Sequence, residues 1–296
     1  MNKFYIQIVL FLLSISTYVN NKTLATETAP EENTKTKTES KKPYSTPEEI
    51  YKQNKQLLCT NRNETINAEK LMNEAVTHLE HHVNDKNSYK VYQRDRNFNA
   101  AFCRKKLEGK TIVQRINFQY FHSNKYNEII SMLWDPALAN DFNNGSVKRK
   151  FVRVYNPNLV MIQQRYKNST FGRWKYFYAL AAKFDISEEK TIIVMSSANI
   201  NDGYPSNEEY KNKIIENANL FKTQINSEDD IRNGKLKKTF VNIVGYLIEK
   251  KGICVNITYI ESIDGHTSKY QELIIEKSLN KFFHYKNENS CIYLRM

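Results

Sequence analysis

The sequence predicts an α+β fold: N-terminal helices, a curved antiparallel sheet, and a long C-terminal helix covering the sheet's open side. Two observations carry this. Apolar, aromatic-rich segments of strand length follow one another from residue 147, separated by turn signals rather than by helices long enough for crossovers. The last apolar segment, 270–283, then changes to helical spacing, with Leu273, Ile274, Leu279, Phe282 and Phe283 on it. An antiparallel sheet buries one face, and that final helix is its natural cover.

In chain order, Met1-Asn2-Lys3 is a short positive start and residues 4–19 are apolar, the layout of a secretory signal over residues 1–25. Residues 26–47 hold almost no apolar side chains and read as a disordered polar linker. Thr46-Pro47-Glu48-Glu49 is a capping box with proline at the first helical position, so a helix starts there. A second helix is expected over 66–83, with Leu71, Met72, Ala75, Val76, Leu79 and Val83 along one side. Residues 88–92 and 111–120 read as strands, and 125–134 as a helix stopped by Asp135-Pro136.

Strands are then expected over 147–155 and 159–166, a hairpin about Asn156-Pro157-Asn158. In the next strand Tyr176, Tyr178, Leu180, Ala182 and Phe184 alternate on one face. Ile193 and Met195 do so after the turn at 187–190. Residues 199–238 interrupt the sheet as a polar insertion with one helix, striped by Tyr210, Ile214, Ala218 and Phe221. Strands over 240–249 and 255–264 turn at Lys250-Lys251-Gly252. Residues 48–286 make the domain and 287–296 a tail.

The net charge of the 296 residues is +12. The linker's Lys and Glu cancel and only Lys3 and Lys22 precede it, so +10 belongs to the remainder. Such a surface attracts anionic lipid headgroups. The basic residues are dispersed, with no nucleic-acid motif, which argues against nucleic acid as a partner. Four cysteines in an oxidising route allow two disulfides, and the local pairings Cys59–Cys103 and Cys254–Cys291 are expected. No phosphate loop, zinc pattern or Gly-x-Ser-x-Gly elbow is present. His78, His81 and His82 share helical spacing, but no zincin glutamate accompanies them. The expectation is a non-enzyme without cofactor.

Apolar strands under a helical cover describe a container, and its contents are expected to be lipid. Moving an acyl chain through water costs roughly 0.8 kcal/mol per methylene, so a carrier needs a dry wall, a lid and a few polar groups, but no nucleophile. Aromatic faces hold a quaternary ammonium, which makes Tyr176 and Tyr178 candidates, with Trp134, Tyr166, Tyr246 and Tyr259 as partners. Each could equally be plain aromatic core. Arg153 shares parity with Phe151 and Tyr155, so it either points inward to a phosphate or snorkels at a sheet edge. Asp135 and Asp264 either balance it or cap turns. Met161, Arg173, Ile193 and Met195 complete the candidate lining. Leu279, Phe282 and Phe283 would form the lid, with Lys277, Lys281 and Lys286 towards the membrane.

Several of these segments resemble the START (StAR-related lipid-transfer) domain: Trp134-Asp135 after a helix, the strand from Arg173 to Leu180, the strand ending at Ser196-Ser197, and the strand running into Asp264-Gly265. The leader and the stretch Asn156-Pro157-Asn158-Leu159-Val160-Met161-Ile162-Gln163-Gln164-Arg165, with Ser196-Ser197-Ala198-Asn199, are similar to the fam-a proteins of rodent malaria parasites, secreted START-domain proteins of which some are exported towards the host red cell. The resemblance implies a helix-grip fold gripping the C-terminal helix, an internal tunnel, and transfer of a phosphatidylcholine-like phospholipid by a monomer. The chain departs from the family at Ser131, where choline-lipid binders often carry an arginine, at Arg173-Trp174, and in the length of the insertion, expected near the tunnel mouth. Two other readings remain: a host-interaction protein whose cavity is filled, and a hydrolase on the same scaffold.

Overall fold

The computed structural model describes residues 46–264 apart from 86, 96–99, 108, 110, 137–146, 168–171 and 207–209. Residues 1–45, the helix expected over 270–283 with Leu279, Phe282 and Phe283, the tail and Cys291 lie outside the described residues.

Two helices open the described chain. In α1 (Pro47–Gln53), Thr46 Oγ1 accepts from the Glu49 amide and Glu49 accepts from the Thr46 amide, which is the expected capping box. The second, α2 (Arg62–Asn84), starts four residues before the expected position 66 because Asn61 Oδ1 caps the amides of Asn63 and Glu64.

Among the described residues one large sheet follows. Its strands are β1 (Lys90–Asp95), β2 (Ala100–Lys106), β3 (Ile112–Tyr120), β4 (Val147–Asn156), β5 (Leu159–Tyr166), β6 (Lys175–Ser187), β7 (Lys190–Ser196), β11 (Phe240–Lys251) and β12 (Cys254–Asp264). Their order is β1-β2-β3-β12-β11-β7-β6-β5-β4, every pair antiparallel. The short helix α3 (Tyr126–Trp134) lies between β3 and β4 in sequence. β2 has no counterpart in the sequence reading, because Ala100-Ala101 and three basic residues blur its alternation.

The sheet is buried on both faces. On one, Leu71, Met72 and Leu79 of α2 pack against Leu180, Ile192, Val194, Leu247 and Ile260. On the other, Ile129, Leu133 and Trp134 of α3 pack with Phe102, Ile116, Phe151, Phe177, Tyr246 and Tyr259. Gly245 sits where α2 meets β11. A Cβ there would lie 2.6 Å from the Ile193 carbonyl oxygen and 2.8 Å from Leu79 Cδ1, so only glycine lets the helix approach this closely.

The 199–238 insertion differs from expectation. It is not a polar loop with a single helix. It contributes β8 (Asn199–Asn201) paired in parallel with β9 (Lys222–Gln224), two single turns α4 (Asn217–Leu220) and α5 (Asp229–Arg232), and β10 (Lys237–Lys238), which joins β6 in parallel. The striped helix fails because asparagines capture its backbone: Asn212 Oδ1 accepts from the amides of Ile214 and Ile215, while Asn219 takes both the amide and the carbonyl of Asn212. Ile215, Ala218, Phe221 and Ile231 are buried in the α2-side core, so the insertion thickens that layer.

The expected Cys59–Cys103 disulfide is not formed, and both thiols are free. Cys59 lies beside β4, its amide bonded to the Val154 carbonyl, whereas Cys103 is on β2 next to β3. Glu64 and His82 of α2 reach β4 and β3 respectively, which are therefore separated by roughly 27 Å of helix, against the ~7 Å a disulfide allows. Cys254 is also free.

Candidate functional site

The α3 face holds a small polar group inside an apolar wall. Arg149 of β4 directs Nε and Nη2 to Gln164 Oε1 at 2.9 and 2.7 Å. The residue is partly buried; desolvation of its guanidinium pushes its pKa down, and it lies within electrostatic reach of the Tyr246 and Tyr259 phenols on β11 and β12. In a flat sheet β4 and β11 would be four strand spacings apart, roughly 19 Å, farther than an arginine and a tyrosine can bridge. The sheet therefore curls, and its α3 face becomes the concave side, or chamber face.

Opposite Arg149 the rings of Tyr246 and Tyr259 meet with centroids 4.8 Å apart. The Tyr259 hydroxyl donates to Glu261 Oε2, and burial pushes the Glu261 carboxyl up to about 7. Gln114 sits across the ladder from Glu261 at 1% exposure, and neither of its amide atoms has a hydrogen-bond partner among the described residues. Trp134 closes one side against Phe151, its indole nitrogen equally without a partner among them. A cleft of about 680 Å3 reaches Trp134 between α3 and the β6–β7 turn, lined also by Tyr126, Glu128, Asp185 and Thr191. Natural interiors leave few such orphaned atoms, so donors and acceptors of this kind are suited to a ligand.

The structure divides the expected lining residues between the two faces. Trp134, Tyr166, Ile193, Met195, Tyr246 and Tyr259 share the chamber face. Tyr166 pairs there with the Thr239 hydroxyl at 3.1 Å. Tyr155, Met161, Tyr176 and Tyr178 belong to the opposite, α2-side core. The Tyr176 hydroxyl donates to Asp202, and that of Tyr178 accepts from Gln163. Arg153 also turns outward, to Glu64, Thr223 and the Gln224 carbonyl. A β-bulge between Phe151 and Arg153 is the reason: one extra residue reverses the parity, so Phe151 and Val154 face in while Val152 and Tyr155 face out. Arg173 is at the surface, holding the carbonyls of Gly234, Lys235 and Leu236. Asp264 accepts from Asn242 Nδ2 at 2.9 Å, and Asp135 caps the end of α3.

Sequence reasoning missed Arg149, Gln114 and Glu261. The signal for Arg149 was present, since it shares parity with Phe151 on the near side of the bulge. His82 is buried, its ring nitrogen 2.8 Å from the Tyr89 hydroxyl.

No protein-family model matches the chain, and no curated protein matches it by sequence. Solved structures do. Human STARD10 aligns at 11% identity over 71% of this chain and 80% of its own, with a TM-score of 0.50. Human StAR-related lipid transfer protein 5 aligns at 10% identity over 75% and 94%, with a TM-score of 0.48. The large antiparallel sheet with its few helices thus has the START fold.

Proposed function

We propose that the protein is a lipid carrier, a non-enzyme that encloses one phospholipid in the chamber and moves it between membranes. The observation that carries this is the partly buried Arg149 within reach of the Tyr246–Tyr259 pair, whose Tyr259 bonds to Glu261, in an otherwise apolar interior. That arrangement suits a zwitterion of the phosphatidylcholine type. A guanidinium takes the phosphate, while two aromatic faces and a carboxylate take the quaternary ammonium. The surrounding Phe102, Ile116, Ile162 and Phe177 are the apolar wall that acyl chains need. The leader-like residues 1–25 and the resemblance of 156–165 to the fam-a proteins make secretion, as a monomer, part of the same reading; the parasitophorous vacuole and the host red cell are the compartments it implies.

Native mass spectrometry of the secreted protein tests it. A co-purified phosphatidylcholine is expected, lost or exchanged for a neutral lipid in Arg149→Met, with transfer between labelled vesicles falling about ten-fold or more, as the loss of a charge-assisted pair predicts. An empty protein that transfers nothing would defeat the reading and favour the interaction module on the same scaffold.

A further inference from the structure

Six cations gather around one tryptophan where β4, β5 and β6 end. The ammonium groups of Lys148 and Lys167 stand 5.9 and 5.2 Å from the centre of the Trp174 ring. Lys175 follows Trp174, and β10 sets Lys237 beside it in register, the Lys237 amide bonding to the Trp174 carbonyl at 2.9 Å. Arg173 fixes the chain that carries Lys235 by donating to the Gly234, Lys235 and Leu236 carbonyls. Burial and the nearby Lys237 charge both push the Lys175 pKa down, as expected of crowded ammonium groups.

Neighbouring cations on the same strands are treated differently. Arg165 is bridged to Glu228 and Asp230, and Lys150 to Glu228. Lys148, Lys235 and Lys237 have no carboxylate partner among the described residues. The one arginine of the cluster is occupied with backbone carbonyls, so what it offers outward is lysine. Lysines are flexible point charges that suit a diffuse, fluid field of phosphates, whereas a structured protein epitope favours the rigid arginine fork. The indole among them is partly buried, packed against the α2-side core, and has the amphipathic character of side chains at the water–lipid boundary. The cluster lies at the end of the strands that carry Arg149 and Tyr166, with Lys175 across the ladder from Tyr166.

We infer that Trp174 with Lys148, Lys167, Lys175 and Lys237 is the surface on which the protein docks to an anionic bilayer, with Lys237 supplied by the insertion. This rests on the carrier reading and adds where the membrane is met. The test is binding of the full secreted chain to phosphatidylcholine vesicles with and without phosphatidylserine, at low and high salt. Binding is expected only with phosphatidylserine, weakening with salt. Each lysine is worth about five-fold, so Lys148→Gln with Lys237→Gln should bind about 25-fold more weakly at an unchanged melting temperature. Trp174→Ala should remove the blue shift of indole fluorescence on binding. Equal binding with and without phosphatidylserine, or a double variant that binds like the parent, would overturn the inference. So would displacement by soluble polyglutamate together with indifference to Trp174→Ala, which would assign the surface to an acidic polypeptide. Native mass spectrometry separates the two claims: bound lipid without charge-dependent docking sinks this inference alone, and docking by an empty protein sinks the carrier reading alone.

Discussion

The two faces of the sheet treat buried polarity in opposite ways. On the α2 face the charges reach near partners, Arg115 Nε being an exception among the described residues. Arg115 donates to the carbonyls of His82, Val83 and Asp85 at the helix end and stacks on Tyr89, Arg153 meets Glu64, and Asp202 takes both Tyr176 and Lys238. On the α3 face a guanidinium, a carboxyl, two phenols and an amide are spread through an apolar wall, and Gln114 satisfies neither end of its amide among the described residues. A satisfied polar network holds a fold together; an unsatisfied one costs stability and is retained where something else completes it. On the α3 face the orphaned atoms are those of Gln114 and Trp134, while Arg149 and Glu261 have partners; on the carrier reading proposed above, the first face is scaffold and the second receptacle.

That contrast can be broken most forcefully at Gly245. Gly245→Val forces a side chain against the Ile193 carbonyl and Leu79, and should destabilise the protein by about 3 kcal/mol or more in urea unfolding. Retention of full stability would mean that α2 does not clamp the sheet. The next effect is a pH dependence whose sign differs between faces. Glu261 has its proton held up to about 7 in the folded chain against an ordinary 4.5, so the unfolded chain releases it first and stability falls as pH rises between those values. His82 is pushed down to about 4 by burial, with the Lys105 charge adding to it, so the unfolded chain gains its proton first and stability falls as pH drops from 6.5 towards 4. Glu261→Gln should abolish the first slope only, gaining up to about 3 kcal/mol at pH 8. A variant with unaltered slope on the alkaline side would show Glu261 to be solvated.

Smaller changes sharpen the contrast. Arg153→Met leaves Glu64 half-buried with only Tyr155, and should cost about 1–2 kcal/mol without altering bound lipid. Gln114→Leu should shift stability by less than about 1 kcal/mol, because it removes a buried amide that lacks partners, yet it should reduce the lipid captured. Were Gln114→Leu as costly as Arg153→Met, the receptacle would be ordinary core.

Much of the fold was legible because the β-type runs and their turns are strongly written. The hairpin at Asn156-Pro157-Asn158, the turn at 187–190 and the pair joined at Gly252 all stand where the residues place them. The faces were harder to assign. β6 is buried on both sides, so Tyr176 and Tyr178 could not be told from Phe177, Ala179 and Ala181 by alternation. The bulge before Arg153 turns a correct parity into a wrong direction, since a single extra residue leaves no mark on composition. Arg149 was overlooked for the complementary reason: a charged residue in a run of Lys and Arg reads as surface until the curl of the sheet brings two tyrosines to meet it. The asparagines that break up the 210–221 stripe were visible, but side-chain capture of the backbone competes with helix formation only once the local turn exists.

The insertion leaves and rejoins the sheet at adjoining points: the Ser197 amide bonds to the Val241 carbonyl, and the Val241 amide to the Ser197 hydroxyl. Because the ends already touch, lengthening or trimming the segment between them changes closure entropy only slowly and re-threads no strand. The segment that carries Lys235 and Lys237 can therefore change in length or charge while the strands on either side of it keep their register.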